Sequence, residues 1–275
     1  MKLFKKKSDI IVLKLFKITD EKLAVSFEMK KLLFQAINEI EKISTKQADS
    51  FCLNFNKNYN TLKGFKNALT KVPEIVYSFI NFDSNKTNTF FSVDNAMLNY
   101  IHKPHYSSIN LCLQIADKYL ETGSIEKIAY SLLDKFNFEY GYIHKMPEDF
   151  DALTERKCKG LFSHSVTINE IDHAWTFHKI AILNGYLKKV YKVNFLNKSQ
   201  FENQIIKNAI SKYGKIKSLN EKIYQWELTD LELHNLNKSG MISERLIISK
   251  DMHFLNTKDA KKFNNLMKIP IIESH

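Results

Sequence analysis

The chain is poor in the residues that mark several common classes of protein. Of its 41 Lys and Arg residues, only Arg156 and Arg245 are arginine. Arginine is the side chain that best reads guanine and phosphate with paired hydrogen bonds, so this deficit disfavours specific nucleic-acid recognition. The three cysteines have no CxxC spacing. They argue against a disulfide framework or a zinc knuckle and predict a protein of the reducing cytoplasm.

Other absences narrow the function further. The 7 Gly and 4 Pro leave no flexible linker. No apolar run approaches the roughly 20 residues that span a bilayer, so no membrane association is expected. The basic start, residues 1–7, precedes Asp9 and Lys14 without a small-residue cleavage site, and we interpret it as mature protein. No P-loop, glycine-rich nucleotide fingerprint, GxSxG elbow or HExxH motif is present, and the sequence therefore predicts no cofactor.

Positive charge is abundant but unevenly distributed. The net charge is +11, while residues 186–222 hold nine Lys against Glu202 and Glu221, a net of +7. Residues 121–172 hold ten acids against six bases, a net of −4. The excess of Lys and Asn is also typical of AT-rich genomes, which leaves its meaning open. An uneven charge distribution of this kind can steer a charged partner.

Hydrophobic periodicity indicates alternating strands and helices. Two strand–helix–strand units are predicted, the first from a strand at 10–18, a helix at 27–44 and a strand at 50–56. The second has a strand at 107–115, a helix capped by Ser124 and a strand beginning near Phe138. The predicted fold is α+β, with a mixed, mainly antiparallel sheet, helices mostly on one face and a strand–helix–strand pseudo-repeat. One domain over 1–275 is expected, with subdomains 1–95 and 96–275 as the alternative.

The remaining segments are assigned from turns, caps and apolar spacing. We predict a helix at 61–80 interrupted at Pro73, a strand beginning at Phe90, a surface loop at 146–172, capping boxes at Ser199–Glu202 and Thr229–Glu232, helices ending near Gly214 and Gly240, strands at 222–228 and 245–249, and a helix at 258–267.

The segment 175–202 is the clearest single pattern. A buried strand at 175–183 meets Asn184-Gly185, a dipeptide typical of hairpin turns that need positive φ, and a second strand follows to Phe195. Alternation in that second strand predicts that Tyr186, Lys188, Lys192 and Asn194 face water. Lysines interleaved with tyrosines are typical of contact surfaces, for a protein or for single-stranded nucleic acid. The predicted partner-binding residues, called here the lysine–tyrosine surface, are Tyr186, Lys188, Lys189, Tyr191 and Lys192.

Candidate sites for chemistry are few. Asp172, His173 and His178, with Glu170 nearby, could ligate a metal or exchange protons, but a five-residue spacing suits neither one helix face nor one strand face. Surface or hydrogen-bonded histidines are the simpler interpretation of this group. The pair His102 and His105, the isolated His144 and His164, and Cys158 between two lysines are weaker candidates, and Trp175 and Trp226 are predicted to lie in the core.

The segment 175–206 resembles a pattern of uncharacterised bacterial α+β proteins, some of them similar to immunity proteins of toxin systems. Six residues carry this resemblance, with Lys188 where the pattern has Arg and Lys192 where it has Pro. They are Gly185, Leu187, Val190, Tyr191, Asn194 and Leu196. The resemblance implies a cytoplasmic protein that acts by binding and has no catalytic residues to transfer.

Three hypotheses follow for the function. The leading one is a non-enzymatic bacterial protein that binds another protein, with a toxin that carries an acidic patch as the expected partner. The second is a nucleic-acid-binding module that uses the lysine–tyrosine surface. The third is a metal-dependent hydrolase or nuclease built around Asp172, His173 and His178.

Overall fold

The chain divides into two compact units that are described separately. Unit 1 spans residues 1–104 and 108–167, and unit 2 spans 105–107 and 168–275. The single-domain prediction and its 1–95 and 96–275 alternative stay predictions. The computed structural model describes residues 9–19, 21–55, 57–85, 88–95, 98, 108–116, 118, 120–121, 123–152, 156–157, 182 and 185–242.

Unit 1 is built on an antiparallel sheet in the order β7-β1-β6-β5-β4-β2-β3. Its strands are β1 (Asp9–Ile18), β2 (Ala48–Leu53), β3 (Lys57–Tyr59), β4 (Tyr77–Phe82), β5 (Thr89–Asn95), β6 (Ser108–Ala116) and β7 (Tyr140–Pro147). Its described helices are α1 (Glu21–Ser26), α2 (Met29–Ser44), α3 (Leu62–Lys71) and α4 (Ser124–Phe136), and a separate hairpin joins β8 (Phe150–Asp151) to β9 (Arg156–Lys157).

The central strands are buried on both faces. Leu13 on β1 pairs with Leu113 on β6, and both side chains are fully buried. On the opposite face of the same two strands, Lys14 pairs with Cys112, and these side chains are 6% and 4% exposed. Neighbours therefore cover both faces of these two central strands, so neither face is left to solvent.

Helices of unit 1 pack on one face of the sheet. Phe51 of β2 stacks on Phe65 of α3 with ring centroids 4.8 Å apart, and Asn95 of β5 donates a 2.9 Å hydrogen bond to the Ala24 carbonyl of α1. The sheet register places Phe51 and Asn95 on the same face. The α+β prediction with a mainly antiparallel sheet is confirmed, and both strand–helix–strand units are present, with β1 lying between β6 and β7.

The helix α4 buries one continuous apolar face. Six apolar residues that recur at helical spacing in the sequence are all buried in the structure. They are Ile125, Ile128, Ala129, Leu132, Leu133 and Phe136. The predicted cap is wrong, because the N-cap is Gly123 with φ 79° and Ser124 is already the first helical residue.

Two further predictions in unit 1 are corrected. The helix predicted over 61–80 ends at Lys71, and residues 77–82 form β4, in which exposed fractions alternate along the strand. Pro73 separates the two because proline disfavours helical backbone in the residue before it. The loop predicted at 146–172 contains the end of β7 and the β8–β9 hairpin, and its residues 158–172 lie outside the described part of the chain.

Unit 2 has a smaller antiparallel arrangement, in the order β11-β12-β10. Its core is centred on Trp226, which is fully buried as predicted and donates a 2.8 Å hydrogen bond from Nε1 to the Tyr213 carbonyl. The elements are β10 (Val193–Asn197), α5 (Lys198–Glu202), α6 (Gln204–Ile210), β11 (Lys215–Ser218), β12 (Ile223–Glu227) and α7 (Asp230–Ser239).

The predicted capping box at Ser199–Glu202 is wrong by two residues. Asn197 is the N-cap: its side chain accepts a hydrogen bond from the Gln200 amide, and the Gln200 side chain accepts one from the Asn197 backbone amide. Asn203 then caps a second helix, so the single predicted helix to Gly214 is split in two. Asparagine at both positions offers local hydrogen bonds that compete with helix continuation.

Several predicted elements lie outside the described residues. They are the strand at 175–183 except for Ile182, the turn residue Asn184, Trp175, the strand at 245–249 and the helix at 258–267.

The capping box of α7 is confirmed and supports a stability prediction. The Thr229 side chain accepts from the Glu232 amide at 3.2 Å, and Glu232 accepts from the Thr229 amide at 2.8 Å. These hydrogen bonds, led by the backbone bond from Thr229, hold the pKa of Glu232 below its ordinary value. We expect Thr229→Ala to lower the free energy of unfolding by about 1 kcal/mol, since one helical amide loses its acceptor. Urea denaturation of Thr229→Ala and of Thr229→Ser, which keeps the hydroxyl, measures this loss. If both variants lost the same free energy of unfolding, the prediction would be contradicted.

Candidate protein-binding surface

The lysine–tyrosine surface begins at a turn that requires glycine. Gly185 has φ +77°, and its amide donates to the Ile182 carbonyl at 3.3 Å. A Cβ at this position would lie 2.9 Å from the Ser199 carbonyl oxygen. The positive φ expected from the Asn184-Gly185 signal is present at Gly185, and close packing against α5 adds a second reason for glycine.

Burial of both tyrosines corrects the prediction that this surface displays aromatic rings. Tyr186 is 2% exposed and Tyr191 is 3% exposed. The Tyr186 carbonyl also accepts a 2.8 Å hydrogen bond from the buried Gln200 side chain. Leu187 and Val190 are buried as well, so the segment is anchored by four apolar or aromatic side chains.

A side-chain clamp explains why strand alternation fails over 186–192. The Asn194 side chain accepts from the Tyr191 amide at 2.9 Å and donates to the Tyr191 carbonyl at 2.7 Å. Both backbone groups of Tyr191 are thereby diverted from a strand ladder, and regular pairing begins only at Val193. Asn194 was predicted to face water, but it is 1% exposed because it fills this role.

The lysines reach the surface from this anchored segment. Lys189 is exposed, and its Nζ lies 5.9 Å from the centre of the Tyr191 ring. Lys192 Nζ lies 3.1 Å from Asp230 Oδ1, with side-chain exposures of 43% and 86%. Lys188 is half-buried. An ion pair this exposed contributes little to stability, which leaves the Lys192 charge available to a competing carboxylate.

Exposed lysines elsewhere in unit 2 extend the positive charge beyond these three. They are Lys198, Lys207, Lys212, Lys215, Lys217, Lys222 and Lys238, and each has an exposed side chain. Glu202, Glu221, Glu227 and Asp230 are exposed acids of the same region. The arrangement presents ammonium groups on a fixed backbone, which is suited to binding an acidic surface.

The predicted metal and nucleophile candidates are mostly beyond the described residues. Asp172, His173 and His178 lie outside them, as do Glu170, His102, His105, His164 and Cys158. Within the described ranges, no group of three His, Cys, Asp or Glu side chains is arranged to hold a metal ion. His144, on β7, packs its ring 5.7 Å from that of Tyr142.

Sequence reasoning missed a polar and aromatic cluster on the sheet of unit 1. We name it the Tyr77 cluster; its members are Phe55, Tyr77, Asp94 and Asn110. In the sheet register Tyr77 lies opposite Asp94, and Asp94 lies opposite Asn110, so all three project from one face. The cluster was not found because its register joins three strands distant in sequence.

Asp94 is the electrostatic centre of the Tyr77 cluster. Burial raises the pKa of its carboxyl to about 6. Burial also raises the pKa of the Tyr77 phenol, with smaller effects from Cys52 and Asp94. Oδ1 of Asp94 and Oδ1 of Asn110 are buried and accept no hydrogen bond in the described structure. Buried oxygens without a donor cost free energy, so this arrangement calls for an explanation.

Comparisons with known proteins identify a fold but no family. No family model matches the sequence, and no curated protein matches it. The fold is similar to that of a solved Pseudomonas aeruginosa T6SS protein, PA0821. The TM-score is 0.56 at 8% sequence identity, over 96% of this chain and 85% of that chain. An identity this low establishes similarity of fold alone.

Among the helices that the structure describes, none has the length and apolar character needed to cross a membrane. The longest of them, α2, has 16 residues.

Proposed function

We propose that the protein binds another protein and acts through that binding, as an immunity-type protein that neutralises a toxin in the bacterial cytoplasm. The observation that carries the proposal is the anchored display of Lys188, Lys189 and Lys192. Buried side chains and the Asn194 clamp fix the backbone that bears them. A preorganised surface loses little conformational entropy when its partner docks.

Two other observations support this proposal. The fold is similar to that of a bacterial protein named as a T6SS protein, whose sequence is only 8% identical. Within the part of the chain that the structure describes, Cys52 and Cys112 are not joined in a disulfide, which suits a reducing compartment. The expected partner surface is acidic, because the net charge of residues 186–222 is +7.

Burial of the tyrosines weakens the nucleic-acid alternative. Bases bind single-strand platforms by stacking on exposed aromatic rings. Tyr186 and Tyr191, at 2% and 3% exposure, do not offer such rings. Lysine charge alone would remain, which supports non-specific binding that falls steeply with salt.

Capture from the native host tests the proposed function. Tagged wild-type protein, the triple variant K188E/K189E/K192E and Lys63→Glu serve as baits, and mass spectrometry identifies what each retains. Lys63 is exposed on α3 in unit 1, so its reversal provides a charge control. We expect one partner to be kept by wild type and Lys63→Glu and lost by the triple variant. Expressed alone, that partner should arrest growth, and co-expressed wild-type protein should restore it. A partner retained equally by all three baits, or one without effect on growth, would contradict the proposal.

A further inference from the structure

The strand β11 forms an open edge of the sheet in unit 2. It pairs with β12 on one side, and no strand of the described chain pairs with its other side. All four of its residues, Lys215–Ser218, are exposed. An edge of this kind presents backbone N–H and C=O groups with which another strand can pair.

The hydrogen-bond pattern of β11 identifies the backbone groups that face the open side. Leu219, one register step beyond Ser218, donates from its amide to the Ile223 carbonyl at 2.9 Å, so it occupies a hydrogen-bonded position. Hydrogen-bonded and non-hydrogen-bonded positions alternate in an antiparallel ladder, which places Ile216 and Ser218 at non-hydrogen-bonded positions. The N–H and C=O groups of these two residues therefore point away from β12, and no hydrogen bond joins them to another described residue.

The hairpin that carries this edge is fixed at both of its ends. Before β11 begins, the Gly214 amide donates to Glu232 Oε1 of α7 at 3.1 Å. In the turn between β11 and β12, the Asn220 side chain accepts from the Lys222 and Ile223 amides, each at 2.9 Å. A strand that is already held in its extended form loses little conformational entropy when another strand pairs with it.

The two faces of β11 carry different side chains. Lys215 and Lys217 project from one face, and Ile216 and Ser218 project from the other. Ile216 lies opposite the buried Trp226 and is 42% exposed, so an added strand would cover apolar surface beside the core of unit 2. The edge therefore suits a strand that places acidic side chains beside the lysines and an apolar side chain beside Ile216.

We propose that the open edge of β11 receives an extended segment of the partner protein, in which acidic and apolar residues alternate, as an added strand. Backbone hydrogen bonds supply affinity in this mode of binding, and the alternate side chains supply specificity. The charge of β11, two lysines and no acid, selects an acidic segment. A second copy of this chain is disfavoured, because antiparallel pairing centred on Ile216 would place Lys215 of one copy opposite Lys217 of the other.

This inference deepens the proposed function and rests on it, because the added strand belongs to the protein that is bound. It makes a separate claim about the free protein, which amide hydrogen exchange tests. We expect the amides of Ile216 and Ser218 to exchange rapidly, and those of Lys217 and Leu219 to be protected by the ladder with β12. Equal protection of all four amides would overturn the open edge.

A chemical-shift titration of the full-length protein tests strand addition. The probe is a capped peptide in which glutamate and valine alternate. One control peptide carries lysine in place of glutamate, and the other is N-methylated at its valines, whose amides would meet Ile216 and Ser218. We expect saturable shifts and slower exchange at these two amides with the glutamate peptide, and neither effect with the controls. A glutamate peptide without saturable shifts, or a control that binds as well, would overturn the proposal.

Two matched variants extend the test to the partner protein. Ile216→Pro removes the outward N–H but no ladder bond to β12, and proline is tolerated at such edge positions. Ile216→Val keeps both the N–H and a branched apolar side chain. We expect Ile216→Pro to bind the glutamate peptide and the captured partner at least about tenfold more weakly than wild type, and Ile216→Val to bind like wild type. If Ile216→Pro does not fold, the exchange and peptide experiments on the wild-type protein decide the outcome.

These results separate the inference from the proposed function. A captured partner that binds Ile216→Pro as tightly as wild type, but is lost by the triple lysine variant, would overturn strand addition and leave the proposed function intact. If no partner is captured, the proposed function fails, whereas saturable binding of the glutamate peptide would still support the β11 edge as a site for an acidic segment.

Discussion

Replacing Trp226 by alanine is expected to destabilise the protein by about 3–5 kcal/mol, the usual cost of deleting a fully buried large aromatic side chain. Trp226 is 0% exposed, and its indole N–H donates to the Tyr213 carbonyl at 2.8 Å. The substitution leaves both a cavity and a carbonyl without its donor. Phenylalanine should cost less, because it fills most of the volume and loses only the hydrogen bond.

Replacing Trp226 should also affect the lysine–tyrosine surface. The Trp226 carbonyl accepts from the Asn194 side chain at 3.4 Å, and Asn194 clamps Tyr191. We therefore expect Trp226→Ala to weaken partner binding although Trp226 itself is buried. Urea denaturation followed by far-ultraviolet circular dichroism measures the stability loss. A loss below about 1 kcal/mol would contradict the packing described for unit 2.

Asp94→Asn is expected to stabilise the protein at neutral pH. The change that it makes in the free energy of unfolding should be more favourable at pH 7 than at pH 4 by up to about 2–3 kcal/mol. Burial raises the folded-state pKa of Asp94 from an ordinary 3.8 to about 6. Between those two values the folded protein binds more protons than the unfolded chain. The contribution of Asp94 is thus most favourable below pH 4, declines as the pH rises to 6, and stays unfavourable above it.

The measurement is the difference in unfolding free energy between Asp94→Asn and wild type, taken from pH 4 to pH 7. It should increase with pH in favour of asparagine and level off above pH 6. Asp134→Asn removes the same charge from an exposed position on α4 and corrects for the change in net charge. A difference that does not vary with pH would show that Asp94 is solvated in the folded protein.

Local patterns predicted local structure well in this chain. The spacing of Ile125, Ile128 and Leu132 is enough to identify the buried face of α4, since a helix repeats every 3.6 residues. The pair Thr229 and Glu232 likewise identifies the start of α7, because both capping partners lie within one turn.

Predictions failed where a side chain competed for the backbone or where distant strands met. Asn194 was assigned to the solvent-exposed face of a strand. It is buried, because its side chain forms hydrogen bonds with both the N–H and the carbonyl of Tyr191. The alternation of polar and apolar residues cannot reveal these side-chain hydrogen bonds, because it assumes that the backbone is a regular extended strand. Asp94 met Tyr77 and Asn110 only through the register of β4, β5 and β6, and register between strands is set by the whole sheet.

The sequence also predicted only part of the lysine–tyrosine surface. Its lysines were identified from composition, and their partner-binding role stays a prediction. Its tyrosines were assigned to the surface from the same composition, but Tyr186 and Tyr191 anchor the segment from within. Lysine and tyrosine have different roles here, since an ammonium must remain hydrated or paired whereas a phenol ring gains free energy when it is buried.

The central claim is that Lys188, Lys189 and Lys192 contact an acidic surface of a partner protein. Calorimetric titration of the captured partner with wild type, the triple glutamate variant and Lys63→Glu, each at low and high salt, tests it most directly. We predict at least about tenfold weaker binding for the triple variant, a smaller salt dependence, and an unchanged affinity for Lys63→Glu. Equal affinity and equal salt dependence of all three proteins would contradict the claim.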